Sequence, residues 1–133
     1  MYYYGQKDYN RALQLFDVLQ SAYRGKPQGE EIAYCTAECY YNMKDYNIAS
    51  HYYKRYVVNY PFAKNTESAL FRSACCYYLE SPNIELDQED SYLAIKEFQS
   101  FIDLYPQSNL VDSANKLIDT LQYKIIEENE LYL

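Results

Sequence analysis

Small and aromatic residues recur along the chain at the three- and four-residue intervals of a single buried helix face. Ala12, Phe16 and Tyr23 stand at i, i+4 and i+11; the same spacing returns 37 residues on as Ala49, Tyr53 and Tyr60, and after another 45 as Ala94, Phe98 and Tyr105. The tetrapeptide KDYN at Lys7 to Asn10 is repeated at Lys44 to Asn47. An alanine four residues before an aromatic shares its face, and its small side chain admits a neighbouring helix. Pro61 and Pro106 directly follow the last two tyrosines and cannot continue a helix, whereas Arg24 takes that place in the first copy. Upstream, Ala33, Ala37 and Tyr40, and then Ala69, Ala74 and Tyr77, carry a second helical pattern, so the repeating unit is a helix pair.

This pattern predicts a helix from about Asp8 to Tyr23, a helical hairpin from Glu30 to Tyr60, another from Phe62 to Tyr105, and a last helix from Ser108 towards Leu131. Residues Arg24 to Gly29 read as a lengthened turn, and an eight-residue insertion lies within SPNIELDQEDS, where Asp90 or Ser91 caps a helix starting at Tyr92. Ala37, Tyr40, Tyr46, Ala49, Tyr53 and Pro61 resemble the tetratricopeptide repeat, whose unit is about 34 residues. The expected fold is therefore all-α, a tetratricopeptide-repeat α-solenoid: a right-handed superhelix of antiparallel helix pairs, about six helices in all. A single repeat domain is expected over residues 1–133: a partial repeat 1 at 1–29, repeat 2 at 30–61, repeat 3 with its insertion at 62–106, and a terminal helix at 107–133. Only Met1 to Tyr4 would remain of the first leading helix, so both ends read as cut from a longer array.

Composition narrows the function. Three Gly and four Pro are too few for the turns of a β-sandwich or barrel. Twelve Lys and Arg against nineteen Asp and Glu leave a net charge of −7, the wrong sign for nucleic acid or an anionic lipid surface. No apolar run approaches the ~18 residues of a membrane span, and MYYYGQKD has neither the basic nor the apolar region of a signal peptide. Nineteen tyrosines, with no Trp, argue for half-buried helix faces and a contact surface, because the ring buries area while the hydroxyl wants a partner.

Candidate chemistry is sparse. Cys35 and Cys39 lie at i, i+4, a spacing that holds a metal only when further ligands converge; Cys39 and Cys76 instead share one small-residue slot of successive pairs and read as buried apolar residues. A disulfide among the four cysteines stays open, although the adjacent Cys75 and Cys76 cannot bridge each other without strain. His51 reads as a surface residue. Glu85, Asp87, Glu89 and Asp90 lack the Gly and closing Glu of a calcium loop, and Glu127, Glu128 and Glu130 read as a solvated face. No phosphate loop or convergent set of acid, base and nucleophile is visible, so no enzyme activity, metal or cofactor is expected. Aligned to the repeat, Tyr4, Glu31, Tyr34, Glu38, Tyr41 and Asn42, with Phe71, Cys75 and Tyr78 of the next pair, line the concave side. Each ring alone is compatible with ordinary packing; together they form a candidate peptide-binding groove, in which rings supply area and carboxylates or Asn meet backbone N–H groups.

The segments restarting after the two prolines, YPFAKNTESALF and YPQSNLVDSANKLIDTLQYKI, resemble the BamD (YfiO/ComL) family of outer-membrane assembly lipoproteins. Leu86, Asp87, Gln88 and Asp90 ahead of Ala94 and Ile95 resemble the form found in Bacteroidetes members. The resemblance implies a non-enzymatic scaffold that works with a BamA-like barrel assembly subunit and receives unfolded outer-membrane β-barrel proteins on its N-terminal repeats. It also implies a place on the periplasmic face of the outer membrane, held only through an N-terminal lipid anchor that this chain does not contain, since none of its cysteines sits in a lipobox. The alternative is a generic tetratricopeptide adaptor unrelated to outer-membrane assembly.

Overall fold

Six α-helices and no strand occupy residues 9–24, 26–80 and 88–131, the part of the chain that the computed structural model describes: α1 (Tyr9–Tyr23), α2 (Pro27–Asn42), α3 (Tyr46–Asn59), α4 (Thr66–Glu80), α5 (Gln88–Leu104) and α6 (Val111–Leu131). The all-α, tetratricopeptide-like class expected from the spacing is the class observed.

The prolines end their helices as expected. The residue before each makes the last helical hydrogen bond, from Tyr60 N to Tyr56 O at 2.8 Å and from Tyr105 N to Phe101 O at 2.9 Å, after which proline has no N–H to offer. Past Pro61 the buried Thr66 hydroxyl donates to Tyr60 O and accepts from Ala63 N, closing the turn into α4.

Four helix starts differ from expectation. α4 begins at Thr66 rather than Phe62 and α6 at Val111 rather than Ser108, because the residues after each proline form a turn first. The other two begin early. α2 begins at Pro27 rather than Glu30, because a proline in the first turn gives up an N–H that has no helical partner there anyway. The turn after α1 is accordingly short. It forces Gly29 against the end of α1, where a Cβ would lie 2.2 Å from Tyr23 O and 3.2 Å from the Tyr60 hydroxyl. α5 begins at Gln88 rather than Tyr92, so Ser91 lies inside its first turns and not at its cap. Its hydroxyl is buried and has no partner among the described residues. Polar and acidic residues suit a first turn, which explains why Gln88 to Asp90 join the helix. The rest of the insertion, 81–87, lies outside the described residues.

The turn from α2 to α3 is a Schellman closure, with Asp45 N bonded to Tyr40 O and Lys44 N to Tyr41 O, both at 3.0 Å. Lys44 takes the left-handed conformation this closure needs, φ 66°, although glycine is its usual occupant.

Contacts divide the chain into two compact units, Met1–Leu70 and Phe71–Leu133, the boundary falling inside α4. In the first, α2 packs on both α1 and α3. Ala12, Phe16, Ile32 and Cys39 form the α1–α2 core, and Ala49, Tyr53 and Tyr56 are buried on α3. In the second, Phe71 meets Phe98 and Phe101 of α5, and α6 packs on α5 with Ala114, Ile118, Leu121 and Ile125 buried at helical spacing. Ala12, Ala49 and Ala94 are 1%, 0% and 0% exposed, so all three small-residue notches are filled.

Candidate functional site

Helix α2 has a role on every side, and its 3.6-residue turn sorts them. Ile32 and Cys39 meet α1, whereas Tyr34 and Tyr41, seven residues apart, lean towards α3. Tyr34 packs edge-on to Tyr53 at 6.2 Å and against Tyr56 at 5.4 Å, and its hydroxyl lies 3.3 Å from Ser68 Oγ at the start of α4. Tyr41 makes T-shaped contacts with Tyr46 at 5.6 Å and Tyr53 at 6.2 Å. The hydroxyls of the two buried α3 tyrosines reach back to α2, Tyr53 donating to Glu38 Oε1 and Tyr56 to Glu30 Oε1. Burial, followed by the bond to Glu30, raises the Tyr56 phenol above its ordinary range.

Between these sides Glu31, Cys35, Glu38 and Asn42 form one strip at intervals of four, three and four residues. Glu31 and Asn42 are exposed; Cys35 and Glu38 are half-buried. The Cys35 thiol is pushed up to about 11 by burial first and then by the Glu31 and Glu38 carboxylates, which marks the strip as acidic. Of the residues read as a concave set, α2 therefore presents Glu31, Glu38 and Asn42 together, with Tyr34 and Tyr41 serving mainly to pack the pair. Phe71 and Tyr78 lie seven residues apart on α4 in the second unit; Phe71 is engaged with Phe98 and Phe101, at 5.8 and 5.5 Å. Tyr4 lies outside the described residues.

The thiols are single and quiet. All four cysteines are free, Cys39 and Cys76 fully buried, which fits their shared small-residue slot. Burial raises Cys39 to about 12 and Cys75 to about 11, so little thiolate exists near neutrality. His51 is exposed beside the Tyr52 ring. Among the described residues no group of three or more His, Cys, Asp or Glu is placed to hold a metal ion, and no helix is long and apolar enough to cross a membrane.

Sequence reasoning missed a second feature of the first unit. On the side of α2 away from the strip, Ala33, Thr36 and Tyr40 floor an open cleft of about 690 Å³ between α1 and α3. Tyr40 and Tyr52 both line it and stack on each other, ring centres 5.2 Å apart and 3° from parallel, and burial with the Tyr52 contact raises the Tyr40 phenol. The only hint in the sequence is the helical spacing of Tyr52, Arg55, Tyr56 and Asn59 along α3.

The family model described as YfiO, outer membrane lipoprotein, matches residues 2–133. This chain belongs to the YfiO family. No curated protein matches it. Membership in a family of outer membrane lipoproteins supports an association with the outer membrane and a role there, and the YfiO match runs through both compact units.

Proposed function

We propose that this YfiO-family chain is a non-enzymatic scaffold in outer-membrane β-barrel assembly. It binds unfolded barrel proteins, or their targeting peptides, at the periplasmic face, alongside a BamA-like subunit. The family match over residues 2–133 carries the reading. The helix pairs supply a rigid support, and the outer strip of α2 supplies a surface suited to an extended chain. There Glu31, Glu38 and Asn42 stand in register to accept or exchange hydrogen bonds with peptide N–H groups. Rim contributions from Tyr34 and Tyr41 come through their half-exposed edges, with the rings already held by α3 and costing little entropy to order. On α4, in the second unit, Phe71 and Tyr78 are proposed as peptide contacts in their own right.

The experiment is site-specific photocrosslinking to a peptide copied from the last strand of an outer-membrane barrel. A photoreactive residue at Glu31 or Asn42 should capture it, whereas one at the exposed Val58 of α3 should not. Equal capture at all three positions, or none at Glu31 and Asn42, removes the strip as the binding surface. Co-purification of the full-length protein with a barrel-forming membrane subunit tests the assembly role separately, and a soluble adaptor would leave that subunit behind.

A further inference from the structure

The cleft between α1, α2 and α3 lies across α2 from the strip, and its charge is of the opposite sign. Arg24 at the end of α1 and Arg55 on α3 both border it, in a chain whose net charge is −7. One carboxylate, Asp17, is also present, yet neither arginine nor Asp17 has an ion-pair or hydrogen-bond partner among the described residues. Two guanidinium groups with no carboxylate paired to them among the described residues are poised for carboxylates from elsewhere, since the planar fork binds them two bonds at a time. The parallel Tyr40 and Tyr52 rings give an apolar wall at the same cleft, and Asn59 adds an amide that can bond a peptide backbone. A volume of about 690 Å³ holds a few side chains rather than a whole helix.

We infer that this cleft docks an acidic peptide segment of a partner protein, its carboxylates on Arg24 and Arg55 and a bulky apolar side chain against Tyr40 and Tyr52. A membrane surface is disfavoured by the chain's net charge of −7, which repels anionic lipid. The site is independent of the substrate strip, so a scaffold could hold both ligands at once.

The test uses the full chain and a fluorescein-labelled peptide alternating glutamate with phenylalanine, followed by fluorescence anisotropy. A copy with glutamine for each glutamate should bind about tenfold more weakly, as should the double variant Arg24→Gln, Arg55→Gln, because charge-assisted bonds to both arginines are lost. Circular dichroism of the variant should match that of the parent, since both side chains are exposed. Glu31→Gln should leave this affinity unchanged, which separates the cleft from the strip. The inference is overturned by absence of binding, by equal binding to the arginine variant, or by a loss shared with Glu31→Gln. Displacement by inorganic phosphate at concentrations where free glutamate fails overturns it too, since the site would then be one for phosphate.

Discussion

The α2–α3 pair and the α4–α5 pair fill the same slots with different chemistry. Tyr53 and Tyr56 on α3 correspond, 45 residues on, to Phe98 and Phe101 on α5, and Tyr34 on α2 corresponds, 37 residues on, to Phe71 on α4. In each unit the leading-helix ring touches both rings of the following helix, Tyr34 at 6.2 and 5.4 Å and Phe71 at 5.8 and 5.5 Å. What changes is the hydroxyl at both slots and, at the Tyr53 slot, its acceptor as well, whereas Glu67 keeps a carboxylate at the position of Glu30. Where Tyr53 donates to Glu38, the position of the α4–α5 pair equivalent to Glu38 is Cys75. The repeat thus fixes where a ring goes, while a phenol is admitted only when the preceding helix brings an acceptor to it, because a buried hydroxyl without one is costly.

Breaking the rings should have the largest effect. Phe98→Ala and Tyr53→Ala should each cost about 3–5 kcal/mol in urea unfolding, since both side chains are fully buried. A much smaller loss at either would mean that its slot is not packed as described. Next comes Phe98→Tyr, which places a phenol where no carboxylate waits. A loss of about 2 kcal/mol is expected, with part of it recovered when Cys75→Glu is added. The reciprocal change, Tyr53→Phe, should cost about 1.5 kcal/mol and become milder with Glu38→Cys, which copies the α4–α5 arrangement. A double-mutant cycle showing no coupling in either pair would dissolve the rule.

The smallest effect is one of pH. The ordinary thiol value is 9.0, and folding raises Cys35 and Cys75 to about 11 and Cys39 to about 12, chiefly by burial. Between those values the folded chain retains protons that the unfolded chain has released. Stability is therefore complete below about pH 9 and declines as pH rises towards the folded values. The raised Tyr56 phenol acts in the same direction at still higher pH. Urea midpoints measured from about pH 8 to about pH 11 should fall, and more gently in Cys39→Ala than in the parent; a flat profile would show that these thiols are not desolvated.

The repeated Ala, aromatic and Tyr spacing made the helix pairs legible, because those positions answer to burial, which a one-dimensional period records. Helix starts were less legible where a turn residue doubles as a helix residue. Pro27 reads as loop in sequence but serves as the first position of α2. Of the α2 residues expected to line the concave side, Glu31 and Asn42 are exposed, while Tyr34, Glu38 and Tyr41 are drawn into packing by partners on other helices. Glu38 is bonded 15 residues away and Glu30 26 residues away, separations that no local pattern carries. The arginine-bordered cleft was invisible for the same reason: its lining is assembled from three helices.

The left-handed backbone at Lys44 has a consequence for which alleles of this chain can persist. Valine, isoleucine and threonine resist that conformation most strongly, whereas glycine and asparagine enter it readily. A saturation library at this codon, selected for solubility, should therefore enrich the latter two and purge the branched residues. The lysine then stands as a tolerated occupant of a site whose backbone favours something smaller.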